Sequence, residues 1–260
     1  FTPMRYAWHL RDAYFHQRGF GRWKRLAASP LLARMRQWDH ATAERVTHFI
    51  AISRTVQQRI RECYGRDSVV IHPPVDTEFY TATDKPREDF YLCVSAMAPY
   101  KRIDLAVQAC NRLQRRLIVI GAGQAEARIR ALGGPTVQVL GWQPDVVIRD
   151  HMRRCRALLF PGEEDFGIVP LEALACGTPV LAFHRGGATE TLAGIGSFFH
   201  EQNVESMIEA MDQLKRCEDR FNPRAARQRA LQFSADRYLA EMLDYLSTVM
   251  GRKTKMPLAA

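Results

Sequence analysis

The stretch Phe160-Pro-Gly-Glu-Glu-Asp-Phe-Gly-Ile-Val-Pro-Leu-Glu-Ala-Leu-Ala-Cys-Gly-Thr-Pro179 reads as strand, acidic loop, helix, stop and next strand. Pro170 suits the first turn of a helix, where its missing N–H is not needed, and Gly177 suits the C-terminal cap. Gly167, without a Cβ, lets the backbone approach a ligand closely. A helix starting near Gly167–Ile168 turns free N–H groups and partial positive charge beyond the carboxyl end of the preceding strand. In an open α/β sheet that is a place for a phosphate. Glu164 precedes this helix and Glu172 falls in its second turn, so a diphosphate there would lie between two carboxylates. Each suits sugar hydroxyls, because charge-assisted hydrogen bonds are short and strong. The plainer alternative is that both glutamates complement the helix dipole, worth ~0.3–1 kcal/mol each. Residue type alone does not separate the two.

Outward from this segment, apolar β-branched runs alternate with helix-period stretches. Strands are expected at 48–53, 68–72, 90–95, 116–121, 136–140, 157–160, 179–183 and 196–199. Helices are expected near 54–64, 101–114, 124–132, 145–154, 168–176 and 203–217, then a long one near 224–249. The alternation predicts a parallel sheet covered on both faces. His72-Pro-Pro-Val-Asp76 and the polar residues after it mark a boundary, since two prolines end a strand and stiffen the chain. The expected organisation is 1–80 as the end of an N-terminal domain plus linker, 81–222 as a self-contained α/β unit, and 223–260 as a C-terminal helix and tail. The chain opens at Phe1 with no charged-then-apolar leader, which reads as a cut through a longer protein.

The 260 residues are 47% apolar and 25% charged, enough for a large buried core. No apolar run approaches the ~20 residues that span a bilayer. The six cysteines are scattered and never spaced Cys-x-x-Cys, so they read as small hydrophobes in a reducing, cytoplasmic setting. Net charge is +9, and residues 1–66 hold thirteen Lys and Arg against four Asp and Glu. Such an excess favours anionic partners. The basic, aromatic segment 1–36 suits an amphipathic helix at an anionic membrane surface, the inner face of the cytoplasmic membrane. A helix packed on another domain, or a solvated face, would look the same.

Other strand ends add to the picture. Ser95-Ala-Met-Ala-Pro-Tyr-Lys-Arg-Ile-Asp104 places Lys101 and Arg102 at a second helix start, where a lysine can neutralise a diphosphate. Gly121-Ala-Gly123 has Glu126 where a dinucleotide fingerprint wants glycine, so the NAD pattern fails. Gly141-Trp142 ends a further strand, where backbone groups can read a base edge. His184 and Arg185, beside Gly186-Gly187, are either donor contacts or ordinary loop residues.

Together these pieces resemble the family 4 retaining glycosyltransferases of GT-B fold. The resemblance covers Phe49-Ile-Ala-Ile-Ser53, Val69-Val-Ile-His-Pro-Pro-Val-Asp76, Tyr100-Lys-Arg-Ile-Asp104, Gly141-Trp142 and, most specifically, Glu164 to Glu172 with Ala175-Cys-Gly-Thr-Pro-Val180 and Gly186-Gly187. It implies an α/β GT-B fold: a complete Rossmann-like C-terminal donor domain with the end of an incomplete N-terminal Rossmann-like domain. It further implies a nucleotide-diphospho-sugar donor, with Glu164 on the donor sugar, Glu172 on the ribose, the backbone at Phe166–Ile168 on sugar and diphosphate, and Lys101 on the diphosphate. Glu164 and Lys101 are then the candidate catalytic residues. Ser95, Arg102, Gly141, Trp142, Asp165, Phe166, Gly167, Ile168, Val169 and Glu172 form the candidate donor site, and Arg5 and Tyr6 the candidate acceptor contacts. The implied reaction moves a hexose, with mannose from GDP-mannose one instance, to a polysaccharide or lipid-linked acceptor with retention. No cofactor or metal is expected, in keeping with the absence of an Asp-x-Asp pair. Two positions depart from the pattern: Ala96 stands where many relatives carry arginine, and Phe1 where many carry histidine. The clamp on phosphate would then rest more on Lys101 and the helix end, and the chain as it stands would bind donor without turnover.

Other readings remain. Another GT-B enzyme, such as a sugar-nucleotide epimerase or a phosphorylase, would exchange sugar phosphate without an acceptor. A non-catalytic module binding anions or membrane would show a steep salt dependence and no preference for nucleotide sugars. Nucleic acid ranks last, because no compact nucleic-acid motif is present.

Overall fold

A computed structural model describes residues 2–5, 7–8 and 22–253, so Phe1 and Tyr6 lie outside the described residues. Helix α1 (Arg22–Ala43) leads into β1 (Ile50–Ala51), α2 (Arg54–Tyr64) and β2 (Val69–Val70), and the two strands pair in parallel. Then follow β3 (Tyr91–Val94), a 3₁₀ turn (Pro99–Lys101), α3 (Ile103–Leu113), β4 (Leu117–Ile120), α4 (Glu126–Leu132), β5 (Val137–Gly141), α5 (Asp145–Arg154) and β6 (Ala157–Phe160). The chain continues through α6 (Ile168–Ala175), β7 (Val180–Phe183), α7 (Ala188–Thr191), β8 (Ser197–Phe199), α8 (Val204–Arg216), α9 (Pro223–Leu231) and α10 (Ala235–Lys253).

Strands β3 to β8 form one parallel sheet in the order β5-β4-β3-β6-β7-β8. Every residue of β3, β4, β6 and β7 is buried, as their uninterrupted apolar sequences require of strands covered on both faces. Alternate residues feed two cores. Leu92 and Leu158 meet Leu171 and Leu174 of α6 on one face, while Cys93 and Leu159 share the other with Leu105 and Met207 from α3 and α8. Each such aliphatic side chain contributes about 1.5–3 kcal/mol on burial. The order is that of the doubly wound Rossmann sheet. The chain steps outward from β3 to β5, then returns to place β6 on the other side of β3. At that reversal the connections leave in opposite directions and open a crevice at the strands' carboxyl ends.

Each expected strand is present, although the two N-terminal ones are only two residues long. The long helix expected near 224–249 is a correction: it breaks into α9 and α10 at residues 232–234. Phe233 is buried there against His72 and Phe166, with ring centroids 5.4 and 5.7 Å away. Its carbonyl accepts the Val75 N–H at 2.8 Å. That long-range bond replaces a helical one, and no local glycine or proline announces it. The boundary segment 72–80 is held by long-range hydrogen bonds. Arg227 of α9 donates to the carbonyls of Tyr80 (2.9 Å), Thr77 (3.0 Å) and Ala175 (2.9 Å), the last at the end of α6. Ala226 and Ala230 carry α9 into the core beneath α6, so packing continues across the expected 222/223 boundary. All six cysteines are free.

Candidate functional site

A cleft of about 390 Å³ opens where the strand order reverses, lined by residues that include Ser95, Lys101, Glu164, Gly167, Ile168 and Val169. Gly167 supplies the N-cap of α6 with φ 94°, a left-handed conformation that a side chain would strain. The chain therefore turns sharply out of the acidic loop, and α6 begins with its N-terminus at the cleft. Within α6, Pro170, Leu171, Ala173, Leu174 and Ala175 are buried. What remains is the stripe Ile168, Val169 and Glu172, at the i, i+1 and i+4 positions of one face. The first two line the cleft, and Glu172 lies one turn further along the same stripe. Glu164 thus lines the cleft, and Glu172 follows one turn further along α6.

The two glutamates differ electrostatically. Glu164 Oε1 is paired with Lys101 Nζ, and Oε2 lies 3.8 Å from Arg5 Nη1. Both acid and lysine are mostly withdrawn from water, with 13% and 18% of their side chains exposed. Among the described residues Glu172 has no comparable cation. Burial, and secondarily the negative charges of Asp145 and Asp76, push its carboxyl up to about 7. The Tyr80 phenol is raised too, chiefly by burial and then by Glu172. A half-buried carboxylate with such a value is costly to ionise and gains most from donors that a ligand brings.

The acidic loop is held from several sides. The Asp165 carboxylate takes the buried Arg59 guanidinium and lies 3.4 Å from Arg5 Nε, while its carbonyl accepts the Ser53 hydroxyl. Arg59 Nη2 reaches Glu163 Oε1 at 2.8 Å, and Arg5 Nη2 donates to the Glu163 carbonyl at 2.9 Å. From the other side, the Gly187 N–H donates to the Glu164 carbonyl at 2.7 Å. A Cβ on Gly186 would stand 2.2 Å from that same carbonyl, so this close approach requires glycine.

The remaining expected residues separate into those at the cleft and those engaged elsewhere. Ser95 lines the cleft. Phe166 does so too, a buried residue whose ring stacks on His72 at 5.6 Å. Asp165 also lines the cleft, with its carboxylate occupied by Arg59 and Arg5, and Arg5 reaches the acidic loop itself. Arg102, in a left-handed conformation (φ 53°), turns its guanidinium to Asp104 (3.2 Å) and Gln202 (3.4 Å). Gly141 ends β5, and Trp142 after it is 74% exposed, outside the cleft lining. His184 and Arg185 are exposed, and the two rings His184 and His200 lie 4.7 Å apart. Sequence reading gave no role to Arg59, Glu163 or Glu190. Among the described residues no group of three or more His, Cys, Asp or Glu is placed to hold a metal ion, and no helix is long and apolar enough to cross a membrane.

The doubly wound parallel sheet, with a helix start, a lysine and a glutamate at its switch point, places the chain among Rossmann-like α/β proteins. The chain belongs to the family described as Glycosyl transferases group 1, which matches residues 75–230. It is 26% identical over 252 residues to a D-inositol 3-phosphate glycosyltransferase of Gordonia bronchialis, covering 82% of this chain and 54% of that protein. It is 28% identical over 153 residues to a GDP-mannose-dependent alpha-(1-6)-phosphatidylinositol dimannoside mannosyltransferase of Mycobacterium tuberculosis, covering 57% and 40%. The chain thus spans about half the length of the curated relatives it matches. Its fold is shared with Anabaena HepE, solved in complex with UDP and glucose, at a TM-score of 0.71, 20% identity and coverage of 82% of this chain and 66% of that one.

Proposed function

We infer that the chain binds a nucleotide-diphospho-sugar and that its protein transfers a hexose with retention to a glycan or lipid-linked acceptor. The observation that carries this reading is the cleft at the β3/β6 switch point, where Lys101, Glu164 and the amino end of α6 converge. The diphosphate sits at the α6 N–H groups with Lys101 beside it. The sugar points toward Glu164. The ribose follows the Ile168–Val169–Glu172 stripe, where its hydroxyls donate to Glu172. The exposed Trp142 lies on the side where the base emerges. Breaking the glycosidic bond places negative charge on the departing phosphate and positive charge on the anomeric carbon. Lys101 and α6 meet the first and Glu164 the second, without a metal ion. Preorganised donors of this kind stabilise a transition state by ~3–4 kcal/mol per contact. Mannose is favoured as the transferred sugar because mannosyltransferases recur among the relatives.

Lys101 and Glu164 neutralise each other in the donor-free protein. Binding therefore begins with an exchange, in which Lys101 moves from carboxylate to diphosphate and leaves Glu164 free for the sugar. The test is a thermal-shift and calorimetric screen of the chain against UDP-, GDP- and ADP-sugars, since specific binding stabilises the fold. Saturable stabilisation by one nucleotide class supports the reading. Equal, salt-sensitive responses to every polyanion refute it.

A further inference from the structure

Arg59 occupies a position where the pattern calls for a hydrophobe. Helix α2 buries Val56, Arg59, Ile60 and Cys63, the i, i+3, i+4, i+7 stripe of an amphipathic helix, and Arg59 is only 6% exposed. A guanidinium taken out of water is tolerated only with close acidic partners. Those partners lie 104 and 106 positions further along the chain. They are Glu163 and Asp165, the two residues that flank Glu164. One prong of the fork reaches Glu163 Oε1 at 2.8 Å and the other engages Asp165 Oδ1, so a single planar group fixes both acids. The first turn of α2 is anchored to the same side. Its N-cap, Ser53, accepts the Val56 N–H at 3.0 Å while donating to the Asp165 carbonyl. Glu190 on α7 accepts the N–H groups of Arg54 and Thr55, each at 2.9 Å. Glu164 and Asp165 both line the cleft, and with the Asp165 carboxylate taken up by Arg59 the Glu164 carboxylate is the one left to a ligand.

We propose that Arg59 is a positioning residue for the donor sugar: by clamping Glu163 and Asp165 it fixes the Glu164 carboxylate where the sugar of a bound nucleotide sugar meets it. Arg59 thus sets sugar affinity without itself lining the cleft. This rests on the donor-site reading given above. A lysine cannot replace the fork, because one ammonium is a point charge that does not hold two carboxylates in a fixed plane.

The experiment is a calorimetric titration of the chain with a nucleoside diphosphate and with its nucleotide sugar, using the base selected by the ligand screen. The readout is the ratio of the two Kd values, the gain due to sugar. In Arg59→Met this gain falls about tenfold, the equivalent of one charge-assisted hydrogen bond, while nucleoside diphosphate affinity is unchanged. Arg59→Lys recovers thermal stability but not the gain. Glu163→Gln, at a side chain 31% exposed, removes one arm of the fork without burying an unpaired charge and gives a smaller loss of the same kind. Arg59→Met combined with Glu164→Gln loses no more than Glu164→Gln alone. Parallel weakening of both ligands, or a gain equal to that of the wild type, overturns the proposal. If Arg59→Met does not fold, an unchanged gain in Glu163→Gln overturns it. A wild-type chain that binds neither ligand refutes the donor-site reading itself, and this proposal with it.

Discussion

The acidic loop and the helix it feeds present glutamates eight positions apart under opposite conditions. Glu164 is gripped by Lys101 and Arg5 and belongs to a network running through Asp165 and Glu163 to Arg59. Glu172 is half-buried with no cation beside it among the described residues, and Asp145 and Asp76 oppose its charge. The protein has thus settled one carboxylate in advance and left the other to be settled by a ligand. On the donor reading proposed above, an acid that faces developing positive charge benefits from a fixed geometry. A group meant to bind hydroxyls can wait, because the ligand supplies the compensating donors.

The largest expected effect follows from the preorganised acid. Glu164→Gln, which keeps the shape and removes the charge, should lower turnover by about 100- to 1,000-fold while nucleoside diphosphate affinity is retained. Steady-state kinetics of the protein with its acceptor, alongside calorimetry, check both halves. Loss of nucleotide affinity with unchanged turnover would exchange the roles of the two glutamates.

Next comes the shared cation. Lys101→Met should weaken nucleoside diphosphate binding on the order of tenfold, as one charge-assisted contact would, and flatten its dependence on salt. Titrations across a salt series read this out. An unchanged slope would place the diphosphate elsewhere.

Glu172 yields a pH signature of smaller size. Its folded value, about 7, lies above the ordinary 4.5, so its contribution to stability is fully present below about pH 4.5 and is lost as pH rises through 7. The Glu172→Gln variant should therefore melt higher than wild type at pH 8, with the difference closing toward pH 4.5. Nucleotide binding should run the other way. Hydroxyls donate to the ionised form, so wild-type affinity rises between pH 6 and 8 with proton release, a trend absent from Glu172→Gln. Calorimetry in buffers of different ionisation enthalpy detects the proton. Trp142→Ala should matter least: the ring is exposed and unsupported, so the fold is untouched and only base-dependent affinity declines, by a few-fold at most for one solvent-facing contact.

The sheet was legible because its strands are buried on both faces and so read as unbroken apolar runs between turn signals. The backbone of the site was equally legible. Gly167 and Gly177 hold positive φ that few residues adopt, Pro170 is tolerated only in a first turn, and together they delimited α6 within a residue or two. Side-chain partnerships were not. Asp165 reads as one more acid beside Glu164 until it meets Arg59, 106 positions away. The break at 232–234 was hidden for the same reason, since its cause is a bond to Val75 and a socket between His72 and Phe166. One local signal did exist: an arginine on the apolar stripe of α2, between Val56 and Ile60, demanded an acidic partner that only the fold supplies.

A structure of the chain with a nucleotide sugar bound decides the matter. The diphosphate should accept hydrogen bonds from the backbone at Gly167–Val169 and from Lys101, with Lys101 drawn off Glu164, the sugar on Glu164 and the ribose on Glu172. A nucleotide bound away from α6, with the Lys101–Glu164 pair intact, would contradict the account.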